Sequence, residues 1–290
     1  MSTIIDGKAV SESILSELKD TVATLKSAPG LAVILVGNNP ASKAYIGMKK
    51  KACERLGIQS FEFLLPTEST EQTLVELIES LNEREEVNGI LLQMPLPKGF
   101  DEQKMLQLID PSKDVDGFHP ENVGKLLIGM DTFKSCTPYG VFELLKRSNI
   151  DTEGKHVVII GRSNIVGKPM GAILIQNELG ANATVTICHS RTKNLADVTT
   201  QADILIAAIG KPYFVTSDMV KKGAVVIDVG INRVDDPNTE KGYKLVGDVD
   251  YDHVINKTSA ITPVPGGVGP LTIAMLMTNT VQSYQNKHQA

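Results

Sequence analysis

Seven strand-sized apolar runs, separated by segments of helical period, restrict this chain more than any other feature. The runs are Leu31–Val36, Phe61–Leu65, Gly89–Gln93, His156–Gly161, Thr184–Cys188, Asp203–Gly210 and Ala224–Gly230. Most are nearly continuous in Val, Ile and Leu, as strands buried on both faces of a parallel sheet must be. Each is too short to span a bilayer. Ile14, Leu18, Val22 and Leu25 mark an apolar stripe on one helix, and Leu74, Leu77, Ile78 and Leu81 mark another. This β–α–β order implies an α/β fold in which helices cover a mostly parallel sheet.

The rhythm breaks after Asp110-Pro111. The stretch PSKDVDGFHPENVG is polar, rich in turn residues and too long for a hairpin, so it reads as a functional loop or an interdomain crossing. Thr137 and Pro138 then suit the cap and first position of a helix reaching about Lys146. At roughly 150 residues per domain, a chain of 290 suggests two. The expected architecture is two α/β domains flanking a cleft, residues 1–137 with 262–290 forming one and 138–261 the other. The second is expected to be a Rossmann-like doubly wound parallel sheet, its first three strands each followed by a helix. The apolar helix pattern from Leu271 to Val281 is expected to pack back on the first half.

Composition excludes several classes of partner. With 29 Lys and Arg against 34 Asp and Glu, the charge of −5 offers no general attraction for nucleic acid or anionic lipid. Aromatic residues make up only 4 % and Trp is absent, which argues against base-stacking platforms and membrane belts. Cys53, Cys136 and Cys188 are scattered, with no CxxC pair, so a reducing compartment is expected and a structural zinc site is not. No residue cluster supports a required metal. The N-terminus is too polar for a signal peptide, and the expected location is the cytoplasm.

The strongest local signal is Gly161-Arg162-Ser163-Asn164-Ile165-Val166-Gly167-Lys168-Pro169, which follows a Val/Ile strand and opens a helical segment. Glycines there let backbone approach a pyrophosphate at a helix N-terminus. The spacing departs from G-x-G-x-x-G, and a plain tight strand–helix turn is the competing reading. The next strand ends in Cys188-His189-Ser190-Arg191, without the carboxylate that holds the ribose hydroxyls in an NAD site. His189, Ser190, Arg191 and Arg162 suit a 2′-phosphate instead, which favours NADP. Gly210 and Gly230 lie at later strand ends, the edge where ligands collect, or serve only as turn glycines.

In the first half, Ser42, Tyr45 and Lys49 fall on one face of an expected helix. Tyr45 and Lys49 suit a proton-transfer pair; the alternative is a solvated basic run, Lys49 to Lys51. Gln93 ends a strand and can orient an amine or a carbonyl, or simply cap a turn. Asp116, before Gly117, can grip a guanidine-like edge or make an ordinary turn. Pro263 to Pro270 packs Pro and Gly into a shaped turn or a rigid linker.

Taken together, Ser42-x-x-Tyr45-x-x-x-Lys49, Leu91-Leu92-Gln93-Met94-Pro95-Leu96-Pro97, Lys113-Asp114-Val115-Asp116-Gly117, Gly161-Arg162-Ser163-x-Ile165-Val166-Gly167-x-Pro169 and Pro263-Val264-Pro265-Gly266-Gly267-Val268-Gly269-Pro270 resemble the bifunctional methylenetetrahydrofolate dehydrogenase/cyclohydrolases. The resemblance runs from about Asp6-Gly7 to Thr272 and is to the bacterial two-activity form. It implies oxidation of 5,10-methylenetetrahydrofolate by NADP⁺, then hydrolysis of the methenyl product to 10-formyltetrahydrofolate, in one-carbon folate metabolism. Lys49 would be the general acid/base, Gln93 would hold and tune it, Tyr45 would stack on the folate and Asp116 would grip the pterin. Ser42, Pro263, Gly266 and Gly267 would complete the folate site. The cofactor set would be Gly161, Arg162, Ser163, Ile165, Val166, His189, Ser190, Arg191 and Gly210, with Ile231 and Thr272 beside the nicotinamide. Homodimers through the nucleotide domain are also implied. A short-chain dehydrogenase, which shares Tyr-x-x-x-Lys, is disfavoured because here the pair precedes the nucleotide loop by more than a hundred residues.

Overall fold

The computed structural model describes residues 2–240 and 242–289. Strand β1 (Thr3–Ile4) leads into α1 (Gly7–Ala23), β2 (Gly30–Val36), α2 (Pro40–Leu56), β3 (Gln59–Leu65), α3 (Glu71–Glu83) and β4 (Gly89–Leu92). Three helices follow: α4 (Glu102–Gln107), α5 (Pro120–Leu127) and α6 (Cys136–Arg147). The chain continues through β5 (His156–Ile160), α7 (Gly167–Leu174), β6 (Thr184–Cys188), α8 (Leu195–Thr199), β7 (Ile204–Ala207) and β8 (Val225–Asp228). It ends with β9 (Asn232–Asp235), β10 (Tyr243–Val246), α9 (Tyr251–Val254), β11 (Ala260–Ile261) and α10 (Gly269–Gln289).

Two compact units emerge. One joins the residues up to Glu12 with Thr137–Thr272; the other joins Ser13–Cys136 with the residues from Ile273 on. These limits differ from the expected 137/138 and 261/262 divisions. The reason is local: β1 pairs in parallel with β11, which ties the start of the chain to the unit expected to bind the nucleotide, here termed the nucleotide unit. The second division falls inside α10, so Pro263, Gly266 and Gly267 belong to the nucleotide unit and not to the one holding Lys49.

The unit of Ser13–Cys136 with the residues from Ile273 on is built on a parallel sheet of order β3-β2-β4. All seven residues of central β2 are buried, which explains its uninterrupted apolar run. Ala32, Ile34 and Val36 pack in one cluster with Leu74, Ile78 and Leu81 of α3. The latter three are fully buried, each worth about 1.5–3 kcal/mol of transfer free energy. The Thr70 side chain caps α3 by accepting from the Thr73 amide. Helix α10 does return to this unit: Ser283 Oγ donates to the Asn88 and Ser112 carbonyls, at 2.6 and 2.8 Å.

The nucleotide unit carries a six-stranded parallel sheet of order β1-β11-β8-β7-β5-β6. All seven sequence-predicted strands form: β2 and β3 begin one and two residues earlier, β6 keeps its bounds, and the other four are shorter by one to four residues. Short β1 and β11 and the antiparallel β9–β10 hairpin were not legible, the first two because two residues show no period. One expected crossover helix is absent: between β7 and β8 only a 3₁₀ turn, Ser217–Met219, forms. Val215 there bridges to Val249, so its backbone is extended rather than helical. Thr137 lies inside α6 rather than capping it, and its hydroxyl meets Thr272 Oγ1 at 3.0 Å. Leu25 falls beyond the end of α1.

Candidate active site

Helix α2 sorts the Lys49–Lys51 run by its turn of about 100° per residue. Lys49 is only 8 % exposed, whereas Lys50 and Lys51 face solvent and Lys50 pairs with Glu62 at 2.9 Å. Lys49 Nζ donates to Gln93 Oε1 at 2.8 Å, just past the end of β4. Gln93 Nε2 in turn donates to the Met94 carbonyl at 2.9 Å, which fixes the amide with its oxygen toward the lysine. Burial pulls the Lys49 amine below the ordinary lysine range, against the opposing influence of Asp116 and Cys136. Burial pushes the Asp116 carboxyl up, opposed by the Lys49 charge and a hydrogen bond with the Cys136 thiol. Cys136 itself is raised well above an ordinary thiol, first by burial and then by Asp116. Lys49, the Asp116 carboxyl and the Cys136 thiol thus lie close enough for each charge to shift the others' pKa.

The loop that presents Asp116 is held at both ends. Lys113 Nζ donates to the Leu81, Asn82 and Arg84 carbonyls at 3.0, 2.6 and 2.7 Å, the open carbonyl end of α3. The Asp114 carboxyl, 1 % exposed, accepts from the Phe118 and His119 amides and from Asn122 Nδ2. Burial lifts its pKa to about 6, with these three donors pulling the other way. Gly117 adopts φ +71°, and a Cβ there would lie 2.7 Å from the Ser135 nitrogen. Asn279 of α10 closes the cluster, its Nδ2 donating to the Val115 and Lys134 carbonyls at 2.8 and 3.0 Å. Ser42 is buried on α2 and Tyr45 is 38 % exposed. Cys136, Lys113, Asp114 and Asn279 were missed as site residues. Their signal was the polarity of the 111–124 stretch; an isolated Cys before Thr-Pro and an Asn in an apolar helix carried none.

In the nucleotide unit, Gly161 ends β5 at φ +134°, and a Cβ on it would overlap the Ala208 carbonyl oxygen. A Cβ on Gly167 would overlap the Gly161 carbonyl oxygen. These two glycines therefore let the loop fold tightly onto the start of α7. Ser163 Oγ accepts from the Val166 amide at 3.1 Å and the Gly167 amide at 3.4 Å, so its first task is to cap α7. Arg162, Ile165, Ser190 and Arg191 are exposed, and Val166 is half-buried. His189 Nδ1 accepts from the Arg191 amide at 3.1 Å, which leaves the ring proton on Nε2. Arg162, Arg191 and a donor-ready His189, with no carboxylate in the 188–192 turn, fit a phosphorylated dinucleotide. Gly210 is exposed at φ +71° with open space where a Cβ would sit. Ile231 is 43 % exposed and lies near Gly269. Among the 263–267 residues, Lys8 donates to the Gly266 carbonyl at 3.0 Å, and a Gly267 Cβ would lie 2.5 Å from the Pro263 oxygen. Gly266 adopts φ +106°, and Gly267 has no room for a side chain against Pro263 and Thr262.

Comparison with known proteins agrees with this division of labour. Residues 5–116 match the family model described as the catalytic domain of tetrahydrofolate dehydrogenase/cyclohydrolase, and residues 135–288 match that of its NAD(P)-binding domain. The bifunctional protein FolD of Chlorobium phaeobacteroides strain BS1 is 56 % identical over 99 % of this chain and 98 % of its own. That of Pelodictyon phaeoclathratiforme is 58 % identical over 97 % and 98 %. The crystal structure of FolD from Campylobacter jejuni, 52 % identical, superposes with a TM-score of 0.93 over 99 % of this chain and 100 % of its own. A Trypanosoma brucei FolD structure complexed with NADP cofactor and inhibitor, 39 % identical, gives 0.94 over 100 % and 99 %. This chain belongs to the tetrahydrofolate dehydrogenase/cyclohydrolase family.

Proposed function

We propose that Lys49 carries the proton of the hydrolytic step in the two reactions of this family. Those reactions are oxidation of 5,10-methylenetetrahydrofolate to the methenyl form with NADP⁺, and hydrolysis of that product to 10-formyltetrahydrofolate. The observation that carries the reading is the buried Lys49 amine on Gln93 Oε1, lowered in pKa by its burial. NADP⁺, when bound, would supply the acceptor for the hydride of the methylene carbon. The chain's part in that step is orientation, because the neighbouring nitrogen lone pair drives the hydride out.

In the hydrolysis, water adds to the cationic methenyl carbon. Lys49 takes a proton from the attacking water and delivers it to N5 as the C–N5 bond breaks; the second water proton leaves to solvent. Gln93 holds the amine in line. Asp116 accepts from the pterin N3–H and 2-amino group. Tyr45 stacks on the folate, with Ser42 in the same pocket. Arg162, His189, Ser190 and Arg191 hold the phosphates, assisted by Ser163 and the α7 amides. Gly161, Ile165, Val166, Gly210, Ile231 and Thr272 line the dinucleotide. Two copies associate through the nucleotide unit, in keeping with the unpaired edge of β6 and the exposed Ile187, Ile175 and Leu179 beside it. We place the protein in the cytoplasm, in keeping with three free cysteines.

Lys49→Gln tests the reading. It should keep NADP⁺ binding and lose cyclohydrolase turnover by roughly 10²–10⁴-fold. Unchanged turnover removes Lys49 from the mechanism.

A further inference from the structure

Two buried carboxyl groups lie behind the nucleotide crevice, and neither is assigned a part in the chemistry above. Asp248, in the turn after β10, is 0 % exposed. Its Oδ2 accepts from the Ile209 and Gly210 amides at 2.7 and 2.9 Å. Its Oδ1 accepts from the Lys211 amide and from Asn232 Nδ2, both at 2.9 Å. Three consecutive amides of the loop after β7 thus converge on one side chain.

Asp228, at the end of β8, supports it from below. Asp228 Oδ1 accepts from the Gly230 and Asp248 amides at 3.0 and 2.9 Å, and Oδ2 accepts from the Val249 amide at 2.9 Å. Thr262 Oγ1 in turn accepts from the Asp228 amide at 2.8 Å. The two glycines of this network are sterically required. A Cβ on Gly230 would overlap the Asp248 carboxyl, and one on Gly247 would overlap that of Asp228.

The loop so held runs from Ala208 to Lys211. The Ala208 carbonyl is the group that leaves no room for a Cβ on Gly161. Strands β5 and β7 are neighbours, so the loop and the glycine turn face each other at the carboxyl edge of the sheet. Amides gathered in a concave turn ordinarily bind an anion from outside. Here the chain supplies its own acceptor, the Asp248 side chain, and presents the outer face of the turn, with the open side of Gly210, to solvent.

We propose that Asp248, braced by Asp228, is a positioning residue for the dinucleotide: it preforms the 208–211 loop and sets its spacing from the Gly161 turn before NADP⁺ arrives. The inference rests on the reading that this crevice holds the cofactor. An asparagine at 248 keeps the shape, yet its NH₂ would face two N–H donors in place of an acceptor, so the loop must open.

The test uses the two activities of one chain, because hydrolysis of the methenyl substrate needs no nucleotide. Asp248→Asn should weaken NADP⁺ binding by roughly tenfold to a hundredfold, with cyclohydrolase kcat/KM held within about twofold. Unchanged NADP⁺ affinity, or an equal loss of both activities, overturns the inference. Arg162→Ala serves as the companion. If it leaves NADP⁺ affinity intact, the crevice reading itself fails and takes this inference with it. If Arg162→Ala weakens binding and Asp248→Asn does not, only the positioning role falls. Amide exchange in the wild-type protein decides the matter even where Asp248→Asn fails to fold. The Ile209, Gly210 and Lys211 amides should be protected without nucleotide. Exchange at unprotected rates until NADP⁺ is added refutes a preformed loop.

Discussion

Gly117→Ala is the substitution that most directly tests how the structure aims Asp116. At φ +71° an alanine pays about 1–2 kcal/mol for the left-handed backbone. The added Cβ would lie 2.7 Å from the Ser135 nitrogen and 2.8 Å from the Lys134 carbonyl carbon, both backbone atoms that cannot swing aside. Relieving such a contact costs a further 1–3 kcal/mol, roughly, by the measure of overpacked sites. The total of about 2–5 kcal/mol corresponds to a fall in Tm of roughly 4–20 °C for a chain of this size. Gly57→Ala is the control: its φ is +75°, but the nearest atom to a Cβ is a Val22 methyl at 3.9 Å, so only the backbone cost applies. Thermal unfolding of both variants, with cyclohydrolase kcat/KM, is the assay. The clash displaces the peptide next to Asp116, so cyclohydrolase should fall by roughly tenfold or more while NADP⁺ binding is kept. Equal Tm shifts for the two variants, or an unaltered cyclohydrolase in Gly117→Ala, would refute the reasoning.

Other expectations follow from the same geometry. Cyclohydrolase activity should rise with pH through a Lys49 pKa below the usual lysine value; because Asp116 holds that pKa up, Asp116→Asn should move the residual pH–rate limb to lower pH, and a move to higher pH contradicts the assignment. Asp228 is lifted to about 7, chiefly by burial, so its folded form keeps a proton that the unfolded chain has released; stability from this group is full below about 4 and is lost as pH rises to about 7. Asp228→Asn should flatten that part of the pH–stability curve in urea titrations, and an unchanged slope would count against it. Lys50→Ala, which removes an exposed ion pair, should alter both activities by less than about twofold; a loss like that of Lys49→Gln would mean that the helix does not separate the two lysines as described.

Much of the fold was legible because strand burial writes itself into composition. Leu31–Val36 read as a buried strand, since residues buried on both faces of a sheet admit no polar side chain. The same logic placed α3 from Leu74, Ile78 and Leu81. The five linked motifs carried the family, and they named Lys49, Gln93, Asp116 and the Gly161 turn as candidates. What sequence did not carry is what depends on distant chain meeting in space. Two-residue β1 has no period of its own and exists because β11, more than two hundred residues later, offers it a partner edge. Nothing local says which lysine of Lys49–Lys51 is buried; the phase of α2 against Gln93 decides it. Cys136 is a lone cysteine in sequence and a neighbour of Asp116 only once the 114–117 turn closes. Asp248 looks like one more turn aspartate, and becomes the acceptor for three loop amides only when β10 brings it under β7. Hydrophobic period is a property of neighbouring residues and survives in the sequence. The pairing of buried polar groups belongs to the tertiary structure, because each donor finds its acceptor across tens to hundreds of residues.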